Sequence, residues 1–79
     1  MSFDNPDPET LLARKETAEM LTRAGFPIAA PTLATLACRG GGPPYRRFGR
    51  KPIYRWGDAL AWAHSRLSKT VRSSSEFAA

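Results

Sequence analysis

Residues 40–56 limit the fold of this chain most strongly, because they interleave aromatic side chains and cations around a glycine. Their sequence is GGGPPYRRFGRKPIYRW, with five cations within residues 46–55 and no acid. Gly49 separates two short runs with strand character, which predicts a β-hairpin with strands at 45–48 and 53–55 and a turn at 49–51. A hairpin with a cationic face most often binds a polyanion, usually the phosphate backbone of a nucleic acid.

The length and charge of the chain agree with that interpretation. Its 79 residues suffice for one small domain with a thin core, the net charge is +5 and the pI is about 10.2. Residues 1–9 carry three acids and no base, whereas residues 39–55 carry six bases and no acid. This asymmetry predicts one basic face, which is typical of nucleic-acid-binding domains and unusual for an enzyme with a small acidic substrate.

The cysteine count and the apolar pattern exclude several other classes of protein. The single cysteine, Cys38, excludes an internal disulfide and a cysteine-based zinc site, and His64 has no metal-ligating partner at a suitable spacing. We therefore expect neither a metal nor a cofactor. The first residues lack the basic and apolar regions of a secretory signal, and no apolar run approaches the ~20 residues that cross a bilayer. These features predict a cytoplasmic protein with no membrane partner.

Three helices are predicted around the hairpin. The first spans residues 11–25 and ends at Gly25, because glycine suits the position after a helix. The second spans residues 31–39 and begins at Pro31, whose missing amide hydrogen is not needed in a first turn. The third spans residues 57–68. The predicted fold class is mainly α with a small β-hairpin.

Domain boundaries follow from composition. Residues 1–10 carry two prolines and three acids and are expected to form an acidic mobile leader. Residues 11–68 form the domain. Residues 69–79 form a Ser-rich tail with too few apolar groups for a core, expected to be disordered in isolation or to contact a neighbouring protomer or a protein partner.

The order helix, tight turn, short helix, basic hairpin and helix is that of a winged helix-turn-helix. A more specific likeness extends over residues 11–67, at Leu12, Ala18, Leu21, Arg39, Gly40, Pro43, Pro44, Tyr45, Phe48, Gly49, Arg50, Lys51, Tyr54, Arg55, Asp58 and Trp62. In this ordered set the chain resembles the small excisionase-type family, which is related to the MerR DNA-binding fold. That family includes recombination directionality factors and AlpA-like transcriptional regulators. The resemblance implies double-stranded DNA and an integrase as partners, in a bacterial cell.

The chain departs from that family pattern in four places. Ala30 stands where Ser or Thr often caps the second helix, so a weak cap is expected. Pro52 replaces a β-branched residue and predicts a short or irregular second strand. Ala59 replaces a leucine, so the third helix is expected either to pack less tightly or to pack through Leu60 instead. The glycines at 40–42 are expected to loosen the join between the second helix and the hairpin.

The second helix is the first candidate for DNA contact. In a helix-turn-helix this element enters the major groove, where each base pair presents a distinguishable pattern. Leu33 and Leu36 are expected to face the core, which places Thr32, Thr35 and Arg39 on the opposite face. The threonines suit base edges or phosphates. Arg39 suits a guanine or a phosphate, and its alternative role is to compensate the negative end of its own helix.

The hairpin supplies four further candidate DNA contacts: Arg46, Arg47, Arg50 and Lys51. Their alternative role is to solvate the hairpin and discourage edge pairing, but four cations in six residues exceed that need. Arg50 at the tip is the best candidate for entering a minor groove. Phe48, Tyr54 and Trp62 are expected to be core aromatic residues.

Three functions are open at this point. The first is an architectural excisionase, or recombination directionality factor, that binds and bends attachment-site DNA to help an integrase excise a mobile element. The second is an AlpA-like transcriptional regulator with the same DNA-binding surface. The third is a basic module that binds an acidic protein. The acids of one leader (Asp4, Asp7 and Glu9) and the hairpin of another copy suggest head-to-tail self-association on DNA. An enzyme is not expected, since no group of residues has catalytic spacing.

Overall fold

The computed structural model describes residues 7–68. This part of the chain contains three helices and one three-stranded antiparallel sheet, so the fold is mixed α and β. The elements are β1 (Leu11–Ala13), α1 (Arg14–Arg23), α2 (Ala30–Arg39), β2 (Arg46–Phe48), β3 (Lys51–Arg55) and α3 (Trp56–Ser65). The three predicted helices and the hairpin are therefore confirmed, whereas β1 was not expected.

Strand β1 corrects the expected start of the first helix. The helix was predicted from Leu11, but residues 11–13 are extended and pair with β3, with Leu12 opposite Tyr54. Strand β3 is consequently the central strand, in the order β1-β3-β2. Leu12 was expected on the apolar side of a helix and is buried in the strand, so the local apolar pattern does not distinguish a helix from a strand at residues 11–13. The strand is favoured because a third strand stabilises a hairpin that is only marginally stable alone.

The second hairpin strand is regular in spite of Pro52, which corrects the expectation of a short or irregular one. Strand β3 has five residues, with Phe48 opposite Lys51 and Arg47 opposite Pro52. Phe48 and Lys51 close the two-residue turn and form a hydrogen-bonded pair. Because hydrogen-bonded and non-hydrogen-bonded pairs alternate along antiparallel strands, Arg47 and Pro52 form a non-hydrogen-bonded pair, and the nitrogen of Pro52 faces away from β2. Strand β1 ends opposite Ile53 and needs no hydrogen bond from Pro52. The proline therefore removes no bond from the sheet.

The turn between α1 and α2 is bounded by the glycine and the proline that the sequence predicted. Gly25 has a φ of 104°, and its N–H donates to Thr22 O at 3.1 Å. The next N–H, of Phe26, donates to Leu21 O at 2.7 Å. This pair of bonds is a Schellman motif, which closes the carboxyl end of α1. Pro31 lies in the first turn of α2, as expected, but the capping position is Ala29 and not Ala30.

The core lies between the helices and one face of the sheet. Its main cluster is Leu12, Leu21, Trp56, Ala59 and Ala63, and Leu33, Tyr54 and Thr17 are fully buried as well. Ala59 itself is fully buried and Leu60 only half-buried, so α3 packs through its alanine face at close range. Leu60 also packs against this cluster, as expected, but it supplies only part of the contact that α3 makes.

The expected aromatic core is only partly observed. Tyr54 is fully buried, as predicted, and Trp62 is half-buried. Phe48 is 79% exposed, so its assignment to the core is wrong. Trp56, which was not singled out, is buried in its place. Phe48 is exposed because the register of the sheet pairs it with Lys51, on the face opposite to that of Tyr54.

Residues 7–10, expected to be part of the leader, are bonded to the start of α3. The first two helical N–H groups, of Trp56 and Gly57, donate to Thr10 O at 2.9 Å and Pro8 O at 2.8 Å. These bonds satisfy two donors that a helix start otherwise leaves free. Residues 1–6 and the tail at 69–79 lie outside the described residues. Within residues 7–68, none of the helices has the length and apolar character needed to span a bilayer.

Candidate nucleic-acid interface

Helix α2 presents a polar face opposite its buried leucine. Leu33 is fully buried, and Thr32, Thr35 and Arg39 are all exposed, as the spacing predicted. Leu36 is half-buried rather than buried. The hydroxyl of Thr35 donates to Pro31 O at 3.1 Å, which leaves its lone pairs and its methyl group open to an external contact.

The loop from α2 to β2 is held in place, contrary to the expected looseness of its three glycines. The indole N–H of Trp62 donates to Gly41 O at 2.8 Å. A Cβ atom at Gly42 would lie 2.9 Å from Leu36 Cβ, so the backbone passes close to the end of α2. Pro43 is buried. The loop therefore fixes where the hairpin leaves α2.

The hairpin turns through two residues, Gly49 and Arg50, and not through the three that were expected. Gly49 has a φ of 65°, and no residue other than glycine has a positive φ within residues 7–68. A glycine with positive φ at the first turn position is the pattern of a type II′ turn, whose twist matches that of paired strands. Arg50 thus occupies the tip, as the sequence predicted.

The tip of the hairpin projects beyond the rest of the sheet. Strand β1 pairs with β3 only as far as Ile53, so residues 47–52 have no third strand beside them. Arg46, Arg47, Arg50 and Lys51, called the hairpin cations below, are all exposed. Both ion pairs found within residues 7–68 belong to Arg55. Among those residues, no carboxylate therefore compensates the hairpin cations or Arg39.

Arg55 belongs to the same basic segment but has a structural role. Its guanidinium donates to both carboxylate oxygens of Glu9, at 3.0 and 2.7 Å, and to Asp58 Oδ1 at 2.9 Å. The hydrogen bonds and charge of Arg55 lower the pKa of Glu9, and the same contacts raise the pKa of Arg55. This arginine ties residue 9 to α3 and is not a free cation for DNA.

Arg14 of α1 is likewise used inside the domain. Its Nε donates to the hydroxyl of Tyr54 at 3.0 Å, and its guanidinium carbon lies 5.8 Å from the ring of Tyr45 and 5.9 Å from that of Tyr54. Counting cations in the sequence did not reveal these roles of Arg14 and Arg55. For Arg55 the sequence did contain an indication of an ion pair, because Asp58 follows it at i+3 and Glu9 lies in a segment that has no basic residue of its own.

The remaining titratable candidates form no metal site in the part of the chain that the structure describes. No group of three or more His, Cys, Asp or Glu residues is placed to hold an ion within residues 7–68. Cys38 is exposed on α2. His64 is exposed and meets the ring of Phe26 edge-on, with 5.1 Å between ring centroids.

Comparisons of the chain with protein-family models, with curated proteins and with solved structures found no match. The functional proposal therefore rests on the shape and charge of the described residues together with the sequence resemblance.

Proposed function

We propose that this chain is a winged helix-turn-helix protein that binds double-stranded DNA, with α1 and α2 as the helix-turn-helix and the β2–β3 hairpin as the wing. The observation that carries the proposal is a set of exposed cations without a carboxylate partner among residues 7–68, located at the end of α2 and on the projecting hairpin. Uncompensated charge of one sign attracts phosphates and releases their counterions on binding.

In this proposal α2 enters the major groove. A groove about 12 Å wide accepts one helix, and the exposed Thr32 and Thr35 are short enough to bring the helix backbone close to the bases. Arg39 lies at the last turn of α2 and contacts a guanine edge or the flanking phosphate. With few long polar side chains on this face, DNA shape and deformability supply part of the sequence preference.

The hairpin contacts the DNA beside the helix. Its cations follow the phosphate backbone, and Arg50 at the tip enters the adjacent minor groove. The bond from Trp62 to Gly41 and the close approach of Gly42 to Leu36 support a fixed angle between α2 and the hairpin. A fixed angle favours binding of both elements to one duplex, because less conformational freedom is lost.

The biological role proposed is that of an excisionase-type architectural factor. Several copies bind adjacent sites, bend attachment-site DNA and assist an integrase, as the resemblance in residues 11–67 implies. Control of a promoter through the same surface is the alternative role. Head-to-tail self-association through the leader needs a revised contact, because Glu9 is already paired with Arg55 of its own chain. Asp7 accepts the N–H of Glu9, so its carboxylate is engaged locally as well.

The proposal is tested by the salt dependence of binding to a random duplex. Replacing Arg46, Arg47, Arg50 and Lys51 with alanine should reduce the log–log salt slope by about 0.9 for each lost phosphate contact, which is about 2.7 for the three cations on the phosphate backbone and at most about 3.6 for all four. Affinity for specific and random duplexes should fall together, since phosphate contacts carry no direct sequence information.

Two controls make this result specific. A charge-preserving variant with Arg46, Arg47 and Arg50 changed to lysine and Lys51 to arginine should retain the slope. Arg66→Ala removes one exposed cation that stacks on Trp62, 5.6 Å from the ring centroid, and should also leave the slope unchanged. An unchanged slope in a folded alanine variant would contradict the proposal, and binding of an acidic protein instead of DNA would favour the protein-interaction module.

A further inference from the structure

Phe48 is a large aromatic side chain that the folded domain leaves uncovered. It ends strand β2, lies opposite Lys51 and is 79% exposed. The register places it on the sheet face that carries Arg46, Lys51 and Ile53, opposite to the face that buries Tyr54. This solvent-facing side of the sheet is called the outer face.

The sheet cannot shift to cover Phe48. The two-residue turn at Gly49 and Arg50 fixes the register of β2 against β3, and a slip of β2 by one residue would move the charged Arg46 together with Phe48 to the face that buries Tyr54. Phe48 is also not an isolated apolar residue, because Leu11 on the same face is 65% exposed and Ile53 is half-buried. A patch of this kind on a small domain marks a surface that an external partner covers.

The charges around Phe48 indicate the partner. The hairpin cations lie on both sides of it in sequence, and residues 40–54 contain no acid. Phosphates line both edges of a DNA groove, so cations that flank an aromatic ring match a groove with the ring directed at the bases. An acidic protein helix also carries negative charge, but it would need an apolar face along the whole patch from Phe48 to Leu11. At the Leu11 end of the patch the cation on the outer face is Arg55, whose charge is already paired with Glu9 and Asp58 and is not available to an acidic helix.

We propose that Phe48 is an apolar wedge that partly unstacks a base step in the minor groove and kinks the duplex, while the hairpin cations hold the flanking phosphates. Minor-groove proteins use phenylalanine in this way and bend DNA by about 20–90°. The inference rests on the proposed DNA binding and extends it, because it names the residue that produces the bend and predicts where on the DNA it acts.

The test separates bending from binding. The probe is a random 24-base-pair duplex labelled at both ends for energy transfer, together with the same duplex carrying one central T·T mismatch. The wild-type protein should bend the matched duplex by at least about 20° and should bind the mismatched duplex about tenfold more tightly, because a mismatch lowers the work of unstacking.

Phe48→Ala should lose the bend and the preference for the mismatch while keeping the salt slope of the wild type, since it removes no cation. Phe48→Leu retains an apolar wedge and should keep both properties. Leu67→Ala, which removes an exposed apolar residue just beyond α3 and outside the outer face, is the matched control and should bend DNA normally. Circular dichroism of each variant verifies the fold.

The outcomes distinguish this inference from the proposed function. A Phe48→Ala protein that binds with an unchanged slope and still bends the duplex as the wild type does would overturn the wedge and leave DNA binding intact. Loss of bending with Leu67→Ala but not with Phe48→Ala would overturn it as well. If the wild-type protein binds no duplex at low salt, both proposals fail together.

Discussion

At the scale of single residues, the contacts of each cation decide its role more than its position in the basic segment does. Arg55 and Arg50 are five residues apart, yet Arg55 is held by Glu9 and Asp58 whereas Arg50 has no carboxylate partner within residues 7–68. Arg14 supports two tyrosine rings. Sequence spacing identified the exposed cations of the hairpin correctly, but it gave no role to Arg55, whose main partner is 46 residues away.

The Glu9–Arg55 pair makes a prediction about pH. Folding lowers the pKa of Glu9 from its ordinary value of 4.5, so folding favours the ionised carboxylate. The stabilisation is therefore fully present above about pH 4.5 and is lost as the pH falls through the lowered pKa of the folded state. Glu9→Gln should reduce the Tm at pH 7, and the difference from wild type should shrink as the pH falls from 4.5 through the lowered pKa of the folded state.

Thermal unfolding at a series of pH values measures this effect. Glu19→Gln serves as the matched control, because Glu19 is an exposed glutamate of α1 that forms no ion pair with the described residues. A Tm difference between Glu9→Gln and wild type that stays constant from pH 7 to pH 3 would show that the pair has no electrostatic effect on folding.

At the scale of elements, the ends of the helices were easier to predict than the pairing of the strands. Gly25, Pro31 and Gly49 each act through local backbone geometry, and each marks a boundary within two residues of the predicted one. Strand β1 depends on pairing across about 40 residues, and its three residues contain no periodicity that separates a strand from a helix. The exposure of Phe48 follows from the register of β2 against β3 and from the position of the core on the other face of the sheet, so local pattern alone predicted neither feature.

The start of α2 offers a test of its boundary. Ala29 has the extended conformation of a capping residue, with φ −103° and ψ 154°, but has no side-chain acceptor. Ala29→Ser should supply a second acceptor for the N–H of Thr32, which already donates to Ala29 O at 3.0 Å, and stabilise the domain by about 0.5 kcal/mol. For a domain of this size that gain raises the Tm by about 4 °C.

Ala30→Ser is the control, because residue 30 is already inside the helix and a hydroxyl there does not face the N–H of Thr32. Urea unfolding of both variants compares the two positions directly. Stabilisation by Ala30→Ser and not by Ala29→Ser would place the capping position one residue later than the structure does.

At the scale of the whole molecule, the distribution of free charge and apolar surface is uneven. The helices and the inner face of the sheet share one core, with Leu21, Leu33 and Tyr54 fully buried. The exposed cations at the end of α2 and on the hairpin have no acidic partner within residues 7–68. The fixed loop between them supports the proposed single recognition surface, and for a surface this small the proposal predicts cooperative binding of several copies to adjacent DNA sites.

The central claim, that α2 and the hairpin form one DNA-binding surface, is tested most directly by chemical-shift mapping of the 15N-labelled protein with a random 20-base-pair duplex. The account predicts that the largest amide shifts occur at Thr32, Thr35 and Arg39 and at the hairpin from Arg46 to Lys51, and that they saturate together. Amides of α3 at His64 and Ser65 should move little. Shifts concentrated on α3 while α2 and the hairpin stay unchanged, or the absence of any saturable shift at low salt, would contradict the account.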